Sequence, residues 1–482
     1  MTAKGFVYLV GAGPGDQKLI TVKGLEVLKK AEVVLYDRLV NPLLLQEVDA
    51  NAELIYCGKL PDRHILRQEA INDLLVEKAK AGRLVVRLKG GDPGVFGRVG
   101  EEADALKREG IRYEIVPGIT SGIAAAAYAG IPVTHREYGT SFTVVTGHDK
   151  SVDGKPLINW QALAQGIDTI AFYMGVKNLS YICEQLIGNG KPASTKVAVI
   201  QWGTTGRQRV VEGTLCSIVS EVEKHAISNP AITLVGNIVA LRKQLQWFEE
   251  KLLLGKKVIF PNGEEAQISS LINNGAEVLT YPRQHCEVLT NELAFVSKLE
   301  EINSYEDILF TAKESVSLFF ESLINHKVDI RCLKAKFYYT DDETRGALLQ
   351  RGIIADQSTT LNHSVIIGAE EMKRGSKGDY LGTHRLQNHL PVSVAFRRVV
   401  EEDGFNTIIF ASASSVELFM EQAKIDGYQP HEVIRHSQVI CINEGAYLTA
   451  KRHNIQVNIY QNNTPVESLP QLLLNSIEQV VL

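Results

Sequence analysis

Phe6-Val7-Tyr8-Leu9-Val10 runs straight into Gly11-Ala12-Gly13-Pro14-Gly15-Asp16. An apolar run of β-formers that ends in a glycine-rich turn predicts a strand bringing backbone N–H groups against a ligand at its end. The same grammar returns at Leu84-Val85-Val86-Arg87-Leu88, which leads into Gly90-Gly91-Asp92-Pro93-Gly94-Val95-Phe96-Gly97. Two such turns in one domain point to one ligand gripped from two strand ends. Around them the spacing predicts further strands at 32–36, 53–57, 112–116, 142–145, 169–173, 196–200 and 232–235, with helices over 21–30, 67–81, 99–109 and 177–188. Strands alternating with helices predict an α/β architecture.

At 482 residues the chain exceeds one ordinary core, so two or three domains are expected. Lys plus Arg number 51 against 56 Asp plus Glu. A net charge of −5 gives no general attraction for nucleic acid or an anionic membrane, so an anionic ligand needs a local basic patch. The six cysteines are scattered, with no CxxC pair, which suits a reducing cytoplasm. No apolar run approaches a membrane span, and Met1-Thr2-Ala3-Lys4 leaves no room for a signal peptide before the first strand.

Near residue 240 the pattern changes. Arg242 to Lys251 reads as a last helix or connector, and Val258-Ile259-Phe260 opens a second α/β region. That region repeats itself. Asp307-Ile308-Leu309-Phe310-Thr311-Ala312 with its helix is echoed by Thr407-Ile408-Ile409-Phe410-Ala411-Ser412 with its own, and 336–340 is echoed by 438–442. The strand-to-strand offset is 28 residues in the first copy (308 to 336) and 30 in the second (408 to 438). A doubled strand–turn–helix unit predicts two similar lobes. Residues 361–395, with His363, His384 and His389, fit neither copy and read as a solvated connection, since their spacing matches no metal-ligand pattern.

The first turn fails as a dinucleotide fingerprint. The pattern G-x-G-x-x-G needs glycine where the chain has Asp16, and Pro14 removes a backbone donor. In the second turn Asp92 can accept hydrogen bonds from a cationic or hydroxylated ligand, cap the following helix, or do both.

Taken together, these residues closely resemble the tetrapyrrole methylase family, and within it the uroporphyrinogen-III C-methyltransferases. The resemblance rests on GAGPGDQKLITVKG at 11–24, VLYDRLV at 34–40, YCGK at 56–59, VRLKGGDPGVFGRVGEE at 86–102, VPGITSGIAAAAYAGIPVTHR at 116–136, TGH at 146–148, YMGV at 173–176, QWGTTGRQ at 201–208 and PAITLVGNIV at 230–239. It implies S-adenosyl-L-methionine as methyl donor, leaving as S-adenosyl-L-homocysteine, held between two α/β lobes. By motif position Pro14, Gly90, Gly91, Asp92, Val95, Thr120, Ser121, Met174 and Gly203 line the donor site. Asp37 matches the family's proton acceptor and Lys59 its proton donor. The implied substrate carries eight carboxylates. Arg38, Arg63, Arg67, Arg98 and Arg136 lie in or beside the motifs and can form the needed basic patch. His135 and His148 read as hydrogen-bonding loop residues.

The second half resembles uroporphyrinogen-III synthase, which cyclises hydroxymethylbilane in a cleft between two lobes. The resemblance is carried by DILFTAKESVSLFFESL and TIIFASASSVELFMEQ, and Thr311 is the one position that carries over as a cleft contact. The chain departs from that pattern at FPNG (260–263), at CINEGAY (441–447) and in 361–400, where the expected tyrosine segment is absent. The expectation is therefore a two-lobed methylase domain over 1–243, a linker over 244–255 and a bilobal α/β synthase-like domain over 256–482. The implied enzyme is cytoplasmic and homodimeric through its first half, with no metal, nucleic-acid or membrane partner. It methylates uroporphyrinogen III at C2 and C7 to precorrin-2, on the way to sirohaem or cobalamin. Two alternatives stay open: a non-catalytic docking module in the second half, and a methylase for a later precorrin or a ribosomal target in the first.

Overall fold

A computed structural model describes residues 5–58, 67–148, 154–284, 286–358, 364–370, 373, 379–386 and 393–478. Strands β1 (Phe6–Gly11), β2 (Val33–Tyr36), β3 (Glu53–Tyr56), β4 (Leu84–Lys89) and β5 (Arg112–Val116) form a parallel sheet in the order β3-β2-β4-β1-β5. Strand alternation divides the side chains between its two faces. Val7, Leu9, Val33, Leu35 and Val85 pack under helices Gln68–Lys80 and Val99–Arg108, while Val10, Val34, Tyr36, Val86 and Leu88 belong to a different core.

A second sheet joins β6 (Phe142–Thr146), β7 (Thr169–Tyr173), β8 (Lys196–Gln201), β9 (Arg209–Thr214) and β10 (Ala231–Val235) in the order β6-β7-β10-β8-β9. Only β6 and β7 run parallel. The strand β9 was not among the expected ones. It lies at an edge and contains Gly213, which weakens its alternation signal. The connector contains a single helical turn, Arg242–Leu245.

In the second half, β11 (Lys257–Ile259) and β12 (Glu277–Leu279) are followed by β13 (Cys286–Val288), β14 (Asp307–Phe310), β15 (Lys336–Tyr339), β16 (Asp356–Gln357), β17 (Ser364–Ala369) and β18 (Asp379–Leu386). Then come β19 (Thr407–Phe410), β20 (Gln438–Cys441) and β21 (Ile459–Tyr460). They form two sheets, β12-β11-β19-β20-β21 and β13-β18-β17-β14-β15-β16. The two copies of the sequence repeat fall in different sheets, β14–β15 in one and β19–β20 in the other. The stretch 361–395 is corrected: it carries β17 and β18, and β17 is an interior strand beside β14. Val365 and Ile367 are fully buried, and the charged and glycine residues around them obscured a short apolar run. His384 is buried in β18 with Nδ1 3.0 Å from Thr383 Oγ1; His363 and His389 lie outside the described residues.

The chain divides into two compact units, Met1–Tyr281 with Val392–Leu482, and Pro282–Pro391. The lobe built on the sheet β12-β11-β19-β20-β21 thus shares a unit with both methylase-like sheets. One continuous core holds Val10, Val34, Val86 and Leu88 of the first sheet together with Ile259, Leu279, Phe396 and Ile408. Tyr281 and Phe396 stack at 3.6 Å, nearly parallel. Where the chain leaves this unit, Tyr281 donates its hydroxyl to Asp426 Oδ2 (2.9 Å); where it returns, the Ser393 N–H donates to the same oxygen (3.2 Å).

Candidate active site

In the parallel sheet all strands present their C-terminal ends along one edge, and the loops that follow them gather there. The two glycine turns meet directly. Gly13 N–H donates to Gly91 O (3.2 Å) and Gly91 N–H returns a bond to Gly13 O (2.7 Å). Gly91 sits at φ +71° and a side chain there would meet nothing nearer than 4.0 Å, so its free face is an open cradle. Asp92 is a brace. Its Oδ1 accepts from Gly94 N (2.7 Å) and its Oδ2 from Gly118 N (3.0 Å), tying the second turn to the loop after β5. It does not cap the next helix, which starts at Val99 behind Arg98 in a left-handed conformation.

Asp16, which broke the dinucleotide pattern, has a structural task. Its Oδ2 accepts from Tyr128 OH (2.7 Å) and its N–H donates to Thr204 Oγ1 (3.0 Å), linking the first turn to the loop after β8. Tyr173, the last residue of β7, makes the second tie between the sheets: its hydroxyl lies 2.6 Å from Thr120 Oγ1 and accepts from Gly122 N at 2.6 Å.

These loops enclose a cavity of about 740 Å³, within the range of small-molecule sites. Pro14, Gly90, Gly91, Asp92, Val95, Thr120, Ser121, Met174 and Gly203 all line it, as do Asp37, Arg38 and Arg98. Phe96, Arg98, Met174 and Trp202 on its wall have φ between 48° and 59°. Backbone strain of this kind gathers at sites where geometry is held for function. Arg98 is exposed and engages Glu101 at 2.6 and 2.8 Å. Arg67 and Arg136 are exposed outside the cavity wall, and His135 and His148 are not on it either. Lys59 and Arg63 lie outside the described residues. Thr311 belongs to the other unit, where its N–H and hydroxyl both donate to Ile367 O, at 3.0 and 3.4 Å.

Asp37 follows β2, and the register puts Leu35 beside Arg87. Arg87 Nη2 donates to Asp37 Oδ1 at 2.6 Å, leaving Oδ2 without a partner among the described residues. Behind this pair is a buried charge cluster that the sequence reading passed over. Glu102 Oε1 accepts from Arg87 Nε (3.1 Å), Lys89 Nζ (2.7 Å) and Gln68 Nε2 (3.2 Å). Arg87, Lys89 and Glu102 are all at least nineteen-twentieths buried. Burial, aided by the neighbouring Arg87, pushes the Lys89 ammonium below its usual range, while Glu102 pulls it back up. Arg87 and Lys89 alternate with apolar residues along β4, the pattern of a half-solvated strand. Their only clue was Glu102 at a helix position facing the same side.

The second half also reaches the cavity. Arg398, Val399 and Glu402 stand on its wall, and Arg398 donates to Arg38 O (2.9 Å) and Val40 O (3.1 Å).

The model of tetrapyrrole (corrin/porphyrin) methylases matches residues 7–219. A uroporphyrinogen-III C-methyltransferase of Bacillus subtilis (strain 168) is 44% identical over 449 residues, which are 91% of this chain and 92% of that protein. The chain belongs to the tetrapyrrole methylase family. Another member, the uroporphyrinogen-III C-methyltransferase of Priestia megaterium, is 60% identical over 236 residues, 49% of this methylase chain and 98% of the relative. The uroporphyrin-III C-methyltransferase of Thermus thermophilus, solved with S-adenosylhomocysteine, is 36% identical, covers 49% of this chain and 93% of that one, and superposes with a TM-score of 0.42. A siroheme synthase of Chromobacterium violaceum is 49% identical over 244 residues and is matched over 52% of its length.

Proposed function

We propose that this chain methylates uroporphyrinogen III at C2 and C7, giving precorrin-2, with S-adenosyl-L-methionine as donor. The observation that carries the reading is convergence. The nine residues expected to hold the donor come from the ends of β1, β4, β5, β7 and β8 and line one cavity with Asp37. The residues fit such a donor. The cradle at Gly91 leaves backbone open to a ligand, Thr120 and Ser121 add hydroxyls, and Val95, Met174 and Ile200 supply apolar wall. When bound, the donor supplies an electrophilic sulfonium methyl. The chain's own part is to orient the tetrapyrrole and move protons. Arg87 fixes Asp37 Oδ1, so Oδ2 is the atom that accepts the proton released from a newly methylated ring. Lys59 is proposed as the donor of the balancing proton. Arg38 and Arg98, exposed at the cavity rim, are proposed to receive substrate carboxylates.

We take residues 1–243 as the methylase domain, 256–482 as the synthase-like domain, and the active form as a cytoplasmic homodimer. The second half is proposed to convert hydroxymethylbilane to uroporphyrinogen III. The two repeat copies in separate sheets support that bilobal reading, and Thr311 is its candidate contact.

The full chain should add two methyl groups to uroporphyrinogen III with S-adenosylmethionine, read by mass spectrometry; transfer to none of the uroporphyrinogen isomers defeats the first proposal. With hydroxymethylbilane alone, formation of only the non-inverted isomer defeats the second.

A further inference from the structure

Arg398 reaches the loop that carries Asp37 from 360 residues along the chain. It comes from helix Val394–Arg398 of the second half, is 7% exposed, and lies across residues 37–40 of the first. Its two terminal nitrogens donate to two carbonyls of that loop, Nη2 to Arg38 O at 2.9 Å and Nη1 to Val40 O at 3.1 Å. The guanidinium plane is held in turn by Glu402, which accepts from Nε (3.4 Å) and Nη2 (3.3 Å), and by the rings of Tyr36 and Tyr56, 5.7 and 5.5 Å away. Within the loop Val40 N–H closes a turn onto Asp37 O at 3.2 Å. A buried, always-charged fork that spans two carbonyls of one turn fixes the turn's rotation as well as its position. The Val40 carbonyl is buried and would be costly to leave without a donor, so the turn depends on the fork.

We infer that Arg398 is a positioning residue of the methyl-transfer site: in this chain the second half holds the Asp37 turn in place. This rests on the methylation reading above and deepens it. It requires no catalysis by the second half.

The test uses the full chain with Arg398→Met, which keeps the stem but removes the fork, and Arg398→Lys, which keeps the charge but supplies one point donor. Methyl transfer to uroporphyrinogen III should lose kcat by about 10–100-fold in Arg398→Met. Arg398→Lys should recover part of that loss, and affinity for S-adenosylhomocysteine by calorimetry should stay unchanged in both. Amide hydrogen exchange across 37–41 should rise in Arg398→Met. Unchanged kcat in both variants, or kcat and S-adenosylhomocysteine affinity falling by the same factor, overturns the inference. Should Arg398→Met not fold, Arg398→Lys carries the same comparison. Should the unsubstituted chain transfer no methyl group, the methylation reading fails; the exchange measurement still decides whether Arg398 holds the turn, and unchanged exchange overturns it.

Discussion

Arg87 Nη2 and Asp37 Oδ1 are 2.6 Å apart, and the arginine in that pair is 2% exposed while the aspartate side chain keeps 32%. One end of the ion pair is therefore fixed in the core and the other reaches the cavity. Asp37→Asn keeps the shape and removes the charge proposed to accept a proton. It should lower kcat for methyl transfer by about 10²–10⁴-fold while S-adenosylhomocysteine still binds by calorimetry. Equal losses of rate and affinity would make Asp37 a structural residue.

Glu102 is the anion that balances Arg87 and Lys89 inside the fold. Glu102→Gln leaves two buried cations facing a single carboxylate. A loss of about 3–5 kcal/mol is expected, because removing one member of a buried ionic cluster strands the rest. Urea denaturation followed by circular dichroism checks it; a midpoint within error of the unsubstituted chain refutes the cluster's structural role.

Two glycines a few ångströms apart should respond differently to alanine. At Gly118 the new Cβ would fall 2.3 Å from Gly91 O and 2.8 Å from Gly11 Cα, both backbone atoms that cannot swing away. Gly118→Ala should cost about 1–3 kcal/mol by overpacking and disturb both turns. At Gly91 there is room, but φ is +71°, so Gly91→Ala should cost about 1–2 kcal/mol in backbone strain. Its larger effect should be on S-adenosylhomocysteine affinity, because the methyl group enters the cradle. A Gly91→Ala chain that binds normally removes that cradle from the donor site.

Burial pushes the Cys57 thiol up to about 11 and the Cys183 and Cys441 thiols to about 12, from an ordinary 9.0. The folded state favours the protonated thiols, so their contribution is complete below pH 9 and is lost as pH rises through 11 to 12. By pH 10 each thiol should have cost about 1.4 kcal/mol of stability. Denaturant titrations at pH 8 and pH 10 measure the slope, and replacing Cys183 and Cys441 by alanine should flatten it. In the native chain at pH 8, Cys216 and Cys332, both exposed, should react with a thiol reagent well before these three.

The strand–turn–helix grammar was legible because glycine turns, alternating apolar runs and helix spacing are local signals. The residues proposed for the donor site could be named because each follows a strand end. What escaped is long-range. Lys89 and Arg87 looked like the wet side of a strand until Glu102 was seen to cover them. Arg398 carries no mark that relates it to a turn some 360 residues away. Asp92 was read as a helix cap or a ligand contact, and only the fold shows that both its oxygens brace loops. The connection expected over 361–395 failed for the opposite reason: local charge and glycine outweighed a short interior strand whose partners are distant in sequence.

Asp426 Oδ2 takes hydrogen bonds from both the last residue before the excursion over 282–391 and the first described residue after it. The exit and the re-entry are thus knotted at a single atom, and none of the strands β11, β12, β19, β20 or β21 is cut by the detour. Structurally the excursion is a cassette set between β12 and β19. The strand pairing of the lobe that carries Arg398 is complete without it, so the length of the excursion does not enter that sheet. Loss of the Asp426 carboxylate would release the exit and the re-entry together.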